Sequence, residues 1–231
     1  MCTNYTPASA SDLMAFDALG AIDLPDQEWP EETFPGYLAP ILSLDSAGSV
    51  RCELARFGLL PRWCRSREEA NRVGRGTYNA RSETVAEKPS FRSAWRERQF
   101  ALVPMRHYYE PCWESGRALR WRIARPDGRP FAVAGLYEHW LDRTTGETVR
   151  SFTMLTVNAD QHPLMRRMHR PGDEKRMLSM VGATDHERWL TASPEEAAQF
   201  LQPAPDEPLV GAPAAVAPSA APEAPQRSLD F

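Results

Sequence analysis

Between residues 37 and 157 the chain is cut into short apolar runs of strand length, each closed by a turn signal. This punctuation restricts the fold more than any other feature. Residues 37–44 and 51–60 read as strands around a turn at Ala47-Gly48, after an irregular Pro- and acid-rich stretch over 24–37. Residues 94–100 lead into a buried strand at 101–103. Residues 119–124 and 131–137 form two more strands joined by Pro126-Asp127-Gly128-Arg129, and 151–157 alternates as another. Short helices flank this region. They are expected at 11–19 with Ser9 or Ser11 as cap, at 68–72, at 185–190, and at 194–201 with Ser193 as cap. Strands in the middle with short helices at the flanks predict an α+β class. The 231 residues suffice for one domain with a real core, or for two small ones. No apolar run reaches the roughly 18 residues of a membrane helix, and the start lacks a basic n-region and an h-region, so a cytoplasmic protein is expected.

Composition changes at residue 203. The stretch 203–225 is mostly Ala and Pro and is expected to be disordered, dividing the chain into a domain at 1–202 and a tail at 203–231. The tail ends in Gln226-Arg227-Ser228-Leu229-Asp230-Phe231, which returns two large apolar residues to its tip. Charge is also uneven. Residues 1–50 hold eight acids and no Lys or Arg, whereas 51–125 hold seventeen basic residues, sixteen of them Arg, against eight acids. An Arg-rich middle is compatible with nucleic-acid binding, since guanidinium forks suit phosphate; a solvated Arg surface fits the same numbers. Cys2, Cys52, Cys64 and Cys112 show neither a CxxC pair nor regular spacing, so neither a disulfide framework nor a zinc site is expected, and no cofactor is implied.

Four segments carry candidate chemistry. Removal of Met1, which a small second residue permits, exposes an α-amine and a thiol on Cys2. Their reference pKa values, about 7.7–8.0 and about 8.5, leave a reactive fraction of each near neutrality. An aldehyde meets such an amine as a Schiff base, and the thiol then closes a thiazolidine. Within Thr77-Tyr78-Asn79-Ala80-Arg81-Ser82-Glu83, Asn79 offers donors and an acceptor to a polar ligand, and Arg81 shares its face if the segment is extended. Glu110 follows the apolar strand and two aromatics in Arg106-His107-Tyr108-Tyr109-Glu110-Pro111, a setting that raises a carboxyl pKa and suits proton shuttling. His169 lies among bases in Met165-Arg166-Arg167-Met168-His169-Arg170-Pro171. His107, His139, His162 and His186 compete with it, and the residues alone do not rank the five.

In this order, the four segments resemble the SOS response-associated peptidase (SRAP) family over roughly residues 2–200. Phe57-Gly58-Leu59-Leu60-Pro61-Arg62-Trp63 is similar to that family's aromatic-Gly-Leu-Ile-Pro-x-Trp segment, and Ala39-Pro40 to its Ala-Pro. The resemblance implies a mainly antiparallel, barrel-like β core with flanking short helices. It implies that Cys2 crosslinks to the aldehyde of an abasic site in single-stranded DNA. Asn79 would hold the amine and sugar, Glu110 would act as acid/base, and His169 would assist sugar ring opening and crosslink reversal. Arg81 would bind phosphate, Trp63 and Pro40 would stack or wedge against bases, and Thr156 is placed with these DNA contacts. Self-removal of Met1, β-elimination lyase activity and nucleoid association are implied too. The sequence departs from the family where Cys2 is followed by Thr3-Asn4 rather than Gly-Arg, where Pro111 replaces a Trp, and in an apparent insertion after His169. Gln226, Leu229 and Phe231 resemble a bacterial sliding-clamp peptide on a tether. Two other classes stay open. An N-terminal-nucleophile amidotransferase or hydrolase also starts at such a cysteine and is separated by a glutaminase assay. A non-catalytic single-strand binder predicts that Cys2→Ala leaves DNA affinity intact.

Overall fold

The computed structural model describes residues 2–20, 22–202 and 208–215. Its strands are β1 (Tyr5–Pro7), β2 (Leu38–Leu44), β3 (Val50–Phe57), β4 (Asn79–Arg81), β5 (Phe100–Cys112), β6 (Leu119–Ala124), β7 (Phe131–Leu141), β8 (Thr148–Asn158), β9 (Arg176–Leu178), β10 (Met180–Val181) and β11 (Val210–Pro213). They form one mixed sheet in the order β10-β7-β8-β3-β2-β5-β6-β11. Because β5 pairs with β7 as well as β2, the strands β7, β8, β3, β2 and β5 close into a five-stranded barrel. Most pairings are antiparallel; β3 and β4 run parallel to β8. The α+β, barrel-centred expectation therefore holds.

β2, the first half of β5 and the first half of β7 are buried on both faces and read as apolar runs, whereas β3 is only partly buried and carries Arg51, Glu53 and Arg56, and β8 buries Ser151, Thr153 and Thr156 between its apolar residues. On β5, Ala101, Val103 and Met105 join Ile41, Phe57, Val133, Phe152 and Met154 in one core. Phe100 and Leu102 join Leu42, Ala132, Ala134 and Leu136 in a second, against Leu13, Trp95, Trp189 and Ala197. The helices supply these last four: α1 (Ala10–Leu13), α3 (Arg92–Arg96), α4 (His186–Thr191) and α5 (Pro194–Phe200), with α2 at Arg67–Gly74. The second core thus lies outside the barrel and the first inside. Ser9 and Ser193 close capping boxes on α1 and α5, and Ser66 caps α2. The expected helix over 11–19 becomes α1 followed by a 3-10 stretch, Met14–Leu19.

Two expectations need correction. The strand expected at 101–103 runs on to Cys112, so Glu110 sits inside β5 rather than beyond its end. The stretch 203–225, expected to lack structure, contains β11, which pairs antiparallel with β6 from Val210↔Ala124 to Pro213↔Trp121. The small Gly211 lets β11 approach Leu164, Trp121 and Ile123 closely, so this Ala/Pro-rich piece is ordered by the edge of β6. No helix of the described residues is long and apolar enough to cross a membrane.

β3 ends at Phe57 because Gly58 adopts φ +108°, and a Cβ there would overlap the Gly74 carbonyl oxygen. This close crossing sets the path of the chain into β4. The Leu59 amide and carbonyl both bond to Thr77, which delivers the chain to Tyr78 and Asn79. Gly58→Ala is expected to destabilise the protein by roughly 2–5 kcal/mol through backbone strain plus overlap. Gly48→Ala, at φ +81° with nothing within 4 Å, should cost only about 1–2 kcal/mol. Urea unfolding midpoints check both; equal losses would show that the Gly74 contact is immaterial.

Candidate active site around the N-terminal cysteine

The distal half of β5 leaves the barrel and takes β1 and β6 as neighbours. β1 is pinned on both sides. Tyr5 pairs with Tyr108 on one side and exchanges two backbone hydrogen bonds with Thr33 on the other. The Asn4 carbonyl accepts from the Tyr109 amide at 3.0 Å, and the Asn4 side chain donates to the Thr33 carbonyl and accepts from Arg120 at 2.5 Å. Arg120 also pairs with Glu32, and its guanidinium lies 3.3 Å over the Tyr109 ring. Two residues before this anchor, the Cys2 thiol is 1% exposed and donates to the Asn4 carbonyl at 3.3 Å.

Glu110 reaches the same place from β5 and is also buried. Burial, then the nearby Glu110 charge, push the Cys2 thiol well above its ordinary pKa. Burial likewise raises Tyr5, Tyr108 and Tyr78, each with a further push from Cys2, Glu110 or both. The carboxyl is thus flanked by a thiol and the Tyr108 and Tyr78 phenols, with Tyr5 on the far side beside the thiol, and all four groups stay protonated at neutral pH.

His169 completes the group. Its Nε2 lies 2.8 Å from Glu110 Oε2, and both side chains are buried. The local backbone explains this. His169 adopts φ +62°, a conformation that costs a non-glycine residue about 1–3 kcal/mol. It is held there because its amide donates to the Pro111 carbonyl at 2.7 Å, while Met168 bridges to Cys112. Lys175 donates to the carbonyls of His169 and Arg170, fixing the loop between them.

Asn79 opens β4, directly after Tyr78, whose ring packs on Phe57 beside Tyr5. Its Nδ2 donates to the Tyr78 carbonyl, whereas its buried Oδ1 has no hydrogen-bond partner; neither has the buried Tyr5 hydroxyl. A buried polar atom left unpaired costs about 1–3 kcal/mol, so this orphaned acceptor and donor suit a polar ligand.

The other expected residues divide. Arg81 is exposed at the end of β4 and pairs with Glu174. Trp63 is 44% exposed, with its Nε1 anchored on the Pro89 carbonyl. Pro40 is buried within β2 opposite Leu54, and Thr156 is buried with its hydroxyl on Ala80 and Arg176. Neither presents a face to a strand outside the protein, because the sheet itself consumes them. Gln226, Leu229 and Phe231 lie outside the described residues. Arg120 and Lys175 had no signal in the sequence; only the cross-strand pairing of Pro111 with Arg120 and the folded 170–175 loop reveal them. Among the described residues no three His, Cys, Asp or Glu side chains converge as metal ligands. A cleft of about 650 Å³ lined by Thr6, Trp29, Arg106, His107 and Tyr109 lies on the opposite face of β5, since 107 and 109 alternate with 108 and 110.

Comparison with known proteins is consistent across sequence and fold. The family model described as SOS response associated peptidase (SRAP) matches residues 1–216. The chain is 30% identical over 216 residues to the abasic site processing protein YoaM of Bacillus subtilis, covering 88% of this chain and 86% of that protein. It is 32% identical over 199 residues to YobE of the same organism, also named an abasic site processing protein, covering 82% of each. Among solved structures, a Bordetella bronchiseptica protein superposes with TM-score 0.82 at 32% identity, over 93% of this chain and all of that one. A Bacteroides thetaiotaomicron protein gives 0.78 at 25% identity, over 91% of this chain and 90% of that one.

The anchor of the N-terminal strand should titrate. His107 bonds Thr6 and the Tyr109 hydroxyl, and burial, then Arg122, Arg120 and Arg106, lower its pKa to about 4. An unfolded histidine titrates near 6.5. Between these values the unfolded chain binds the extra proton, so this contribution is complete above about pH 6.5 and is lost as pH falls through about 4. The thermal midpoint is expected to fall over that window, and more shallowly in His107→Gln; parallel slopes would refute the assignment.

Proposed function

The chain belongs to the SOS response associated peptidase family, and on that footing we propose that it acts on abasic sites in single-stranded DNA, bonding covalently to them through Cys2. The names of its relatives support abasic-site processing as the broad role. The observation that carries the mechanism is the buried Glu110–His169 contact beside Cys2, with the unsatisfied Tyr5 hydroxyl close to the cysteine.

Hydrolysis of the Met1–Cys2 peptide bond consumes one water and leaves an α-amine on Cys2. His169 supplies a proton to the sugar ring oxygen as the C1–O bond breaks, and the Glu110 carboxylate takes the C1 hydroxyl proton, giving the aldehyde and the acid form of Glu110. The amine adds to the aldehyde carbon, and Glu110 in its acid form protonates the departing hydroxyl, so that one water leaves and a Schiff base forms. The neutral thiol then adds across the C=N bond. A sulfur–carbon bond forms, and the thiol proton ends on the ring nitrogen, relayed by the Glu110 carboxylate. Because burial keeps the thiol protonated, the amine reacts first and the thiol traps. Reversal retraces these steps. β-Elimination from the Schiff base, which removes a proton beside the imine carbon and expels the 3′ phosphate, competes with ring closure. Asn79 orients amine and sugar, Arg81 takes a phosphate, and the exposed Trp63 ring offers a stacking platform for a base.

Denaturing electrophoresis with single-stranded DNA carrying one abasic site tests this reading. Wild type should give a heat-stable shifted band, Cys2→Ala none, and Glu110→Gln a band that forms about 10²–10⁴-fold more slowly. No band from protein whose mass confirms loss of Met1 would reject the reading in favour of an amidotransferase or a non-covalent binder.

The tail adds a delivery function. With Gln226, Leu229 and Phe231 as anchors on a Pro/Ala tether, it fits a sliding-clamp pocket. Removal of residues 226–231 is expected to leave crosslink yield unchanged and to abolish retention by purified, immobilised clamp. Unchanged retention would refute the tail's role.

A further inference from the structure

We propose that Glu174 is an anionic placeholder whose carboxylate occupies, on Arg81, the position that a strand phosphate takes on binding. The inference rests on the reading of this site as a cradle for single-stranded DNA and deepens it by naming what the strand must displace.

Asn79 and Arg81 are two apart on β4 and so share a face, about 6.5–7 Å apart along the strand. Asn79 is buried and Arg81 about half exposed, so a sugar held by Asn79 would bring its flanking phosphate toward Arg81. Yet the Arg81 guanidinium is already engaged through Nη2 by Glu174 Oε2. Carboxylate and phosphate oxygens present the same acceptor geometry to a guanidinium fork, so both cannot hold it well.

Glu174 is held in place by other contacts. Its Oε1 accepts from Arg176 at 2.9 Å and from Asn158 at 3.2 Å. Arg176 does not depend on it: the buried guanidinium also makes two bonds to Glu83 and one to the Thr156 carbonyl. Release of Arg81 therefore leaves Glu174 with a charged partner and costs little structure. The carboxylate sits in the same short loop as Lys175, which holds the His169 carbonyl. Glu174 thus lowers affinity for strands in general and keeps Arg81 oriented while the site is empty.

Glu174→Gln is the decisive variant. Its amide oxygen still serves Arg176 and Asn158, while the charge that competes for Arg81 is gone. Affinity for an undamaged single-stranded oligonucleotide is measured against salt for wild type, Glu174→Gln, Arg81→Ala and the double variant, with thermal unfolding to confirm folding. Glu174→Gln should bind about two- to fivefold more tightly at low salt, the size of an exposed ion pair. Its log K against log salt slope should steepen by about 0.7, one additional phosphate contact with full counterion release. In the Arg81→Ala background the same substitution should change nothing. Unchanged affinity in Glu174→Gln overturns the proposal, as does a gain that persists without Arg81, which would be general repulsion of the strand. Absence of strand binding by every protein also overturns it. The abasic-site gel on the same four proteins separates the two ideas: a Glu174→Gln gain without any crosslink rejects the covalent chemistry and leaves the placeholder standing.

Discussion

The backbone ladder between the N-terminal segment and the outer half of β5 fixes the position of residue 2, and the remaining site geometry depends on it. Tyr5 and Thr6 pair with Tyr108 and His107, and the Asn4 carbonyl accepts from Tyr109, so the chain arrives at Cys2 with little freedom left. The strand period then sorts the side chains. Tyr108 and Glu110 face the cysteine, while His107 and Tyr109 face the other side, where they grip Thr6 and stack under Arg120. One strand thus holds the terminus with alternate residues and equips it chemically with the others. The same strand reaches His169 through the Pro111 carbonyl. Proline has no amide for a ladder, but its carbonyl here fixes a left-handed histidine over the neighbouring glutamate.

Burial decides the protonation of the site. The thiol and the phenols are neutral because taking them out of water disfavours their ions, and Glu110 reinforces this. An arrangement tuned for a thiolate nucleophile would instead surround cysteine with positive charge. Here burial and the Glu110 charge act in the opposite direction and keep the thiol protonated. The strain at His169 and the orphaned Asn79 and Tyr5 atoms are costs the rest of the barrel must offset, and such costs concentrate where a ligand relieves them.

The sequence discloses β2, β5 and β7 because burial on both faces makes them apolar runs, and it discloses the caps of α1 and α5 because Ser9 and Ser193 stand before helical runs. It hides β1, β4, β9, β10 and β11, each two to four residues long, since so few positions carry no periodicity and tertiary pairing alone defines them. Pro104 and Pro111 make β5 look shorter than it is, although Ala8 and His169 use their carbonyls. Among candidate residues, Cys2, Glu110 and His169 converge as their motif resemblance implies. The five histidines are equivalent in sequence because the contact that distinguishes His169, with Glu110, spans 59 positions. Pro40 and Thr156, which the resemblance places at DNA contacts, are buried in β2 and β8, a placement that strand packing and not residue type determines.

Charge gives the sharpest difference between sequence and fold. The acidic first fifty residues and the Arg-rich middle look like separate electrostatic regions, but folding brings them together. Asp12 pairs with Arg106, Asp23 and Asp45 with Arg51, and Glu32 with Arg120. Arg62 and Arg67 are taken by Glu138, Glu97, Asp142 and Glu147. Much of the apparent basic excess therefore holds the N-terminal segment and the β7–β8 hairpin and is not offered to a polyanion. Arg120 is the clearest case, since its pairing with Asn4 and Glu32 secures the residues that present Cys2. Counting arginines overstates the nucleic-acid surface; what matters is which guanidinium keeps a charge that a phosphate can claim. Arg81, too, is engaged, by Glu174, so its charge is met within the protein like those of the other paired arginines.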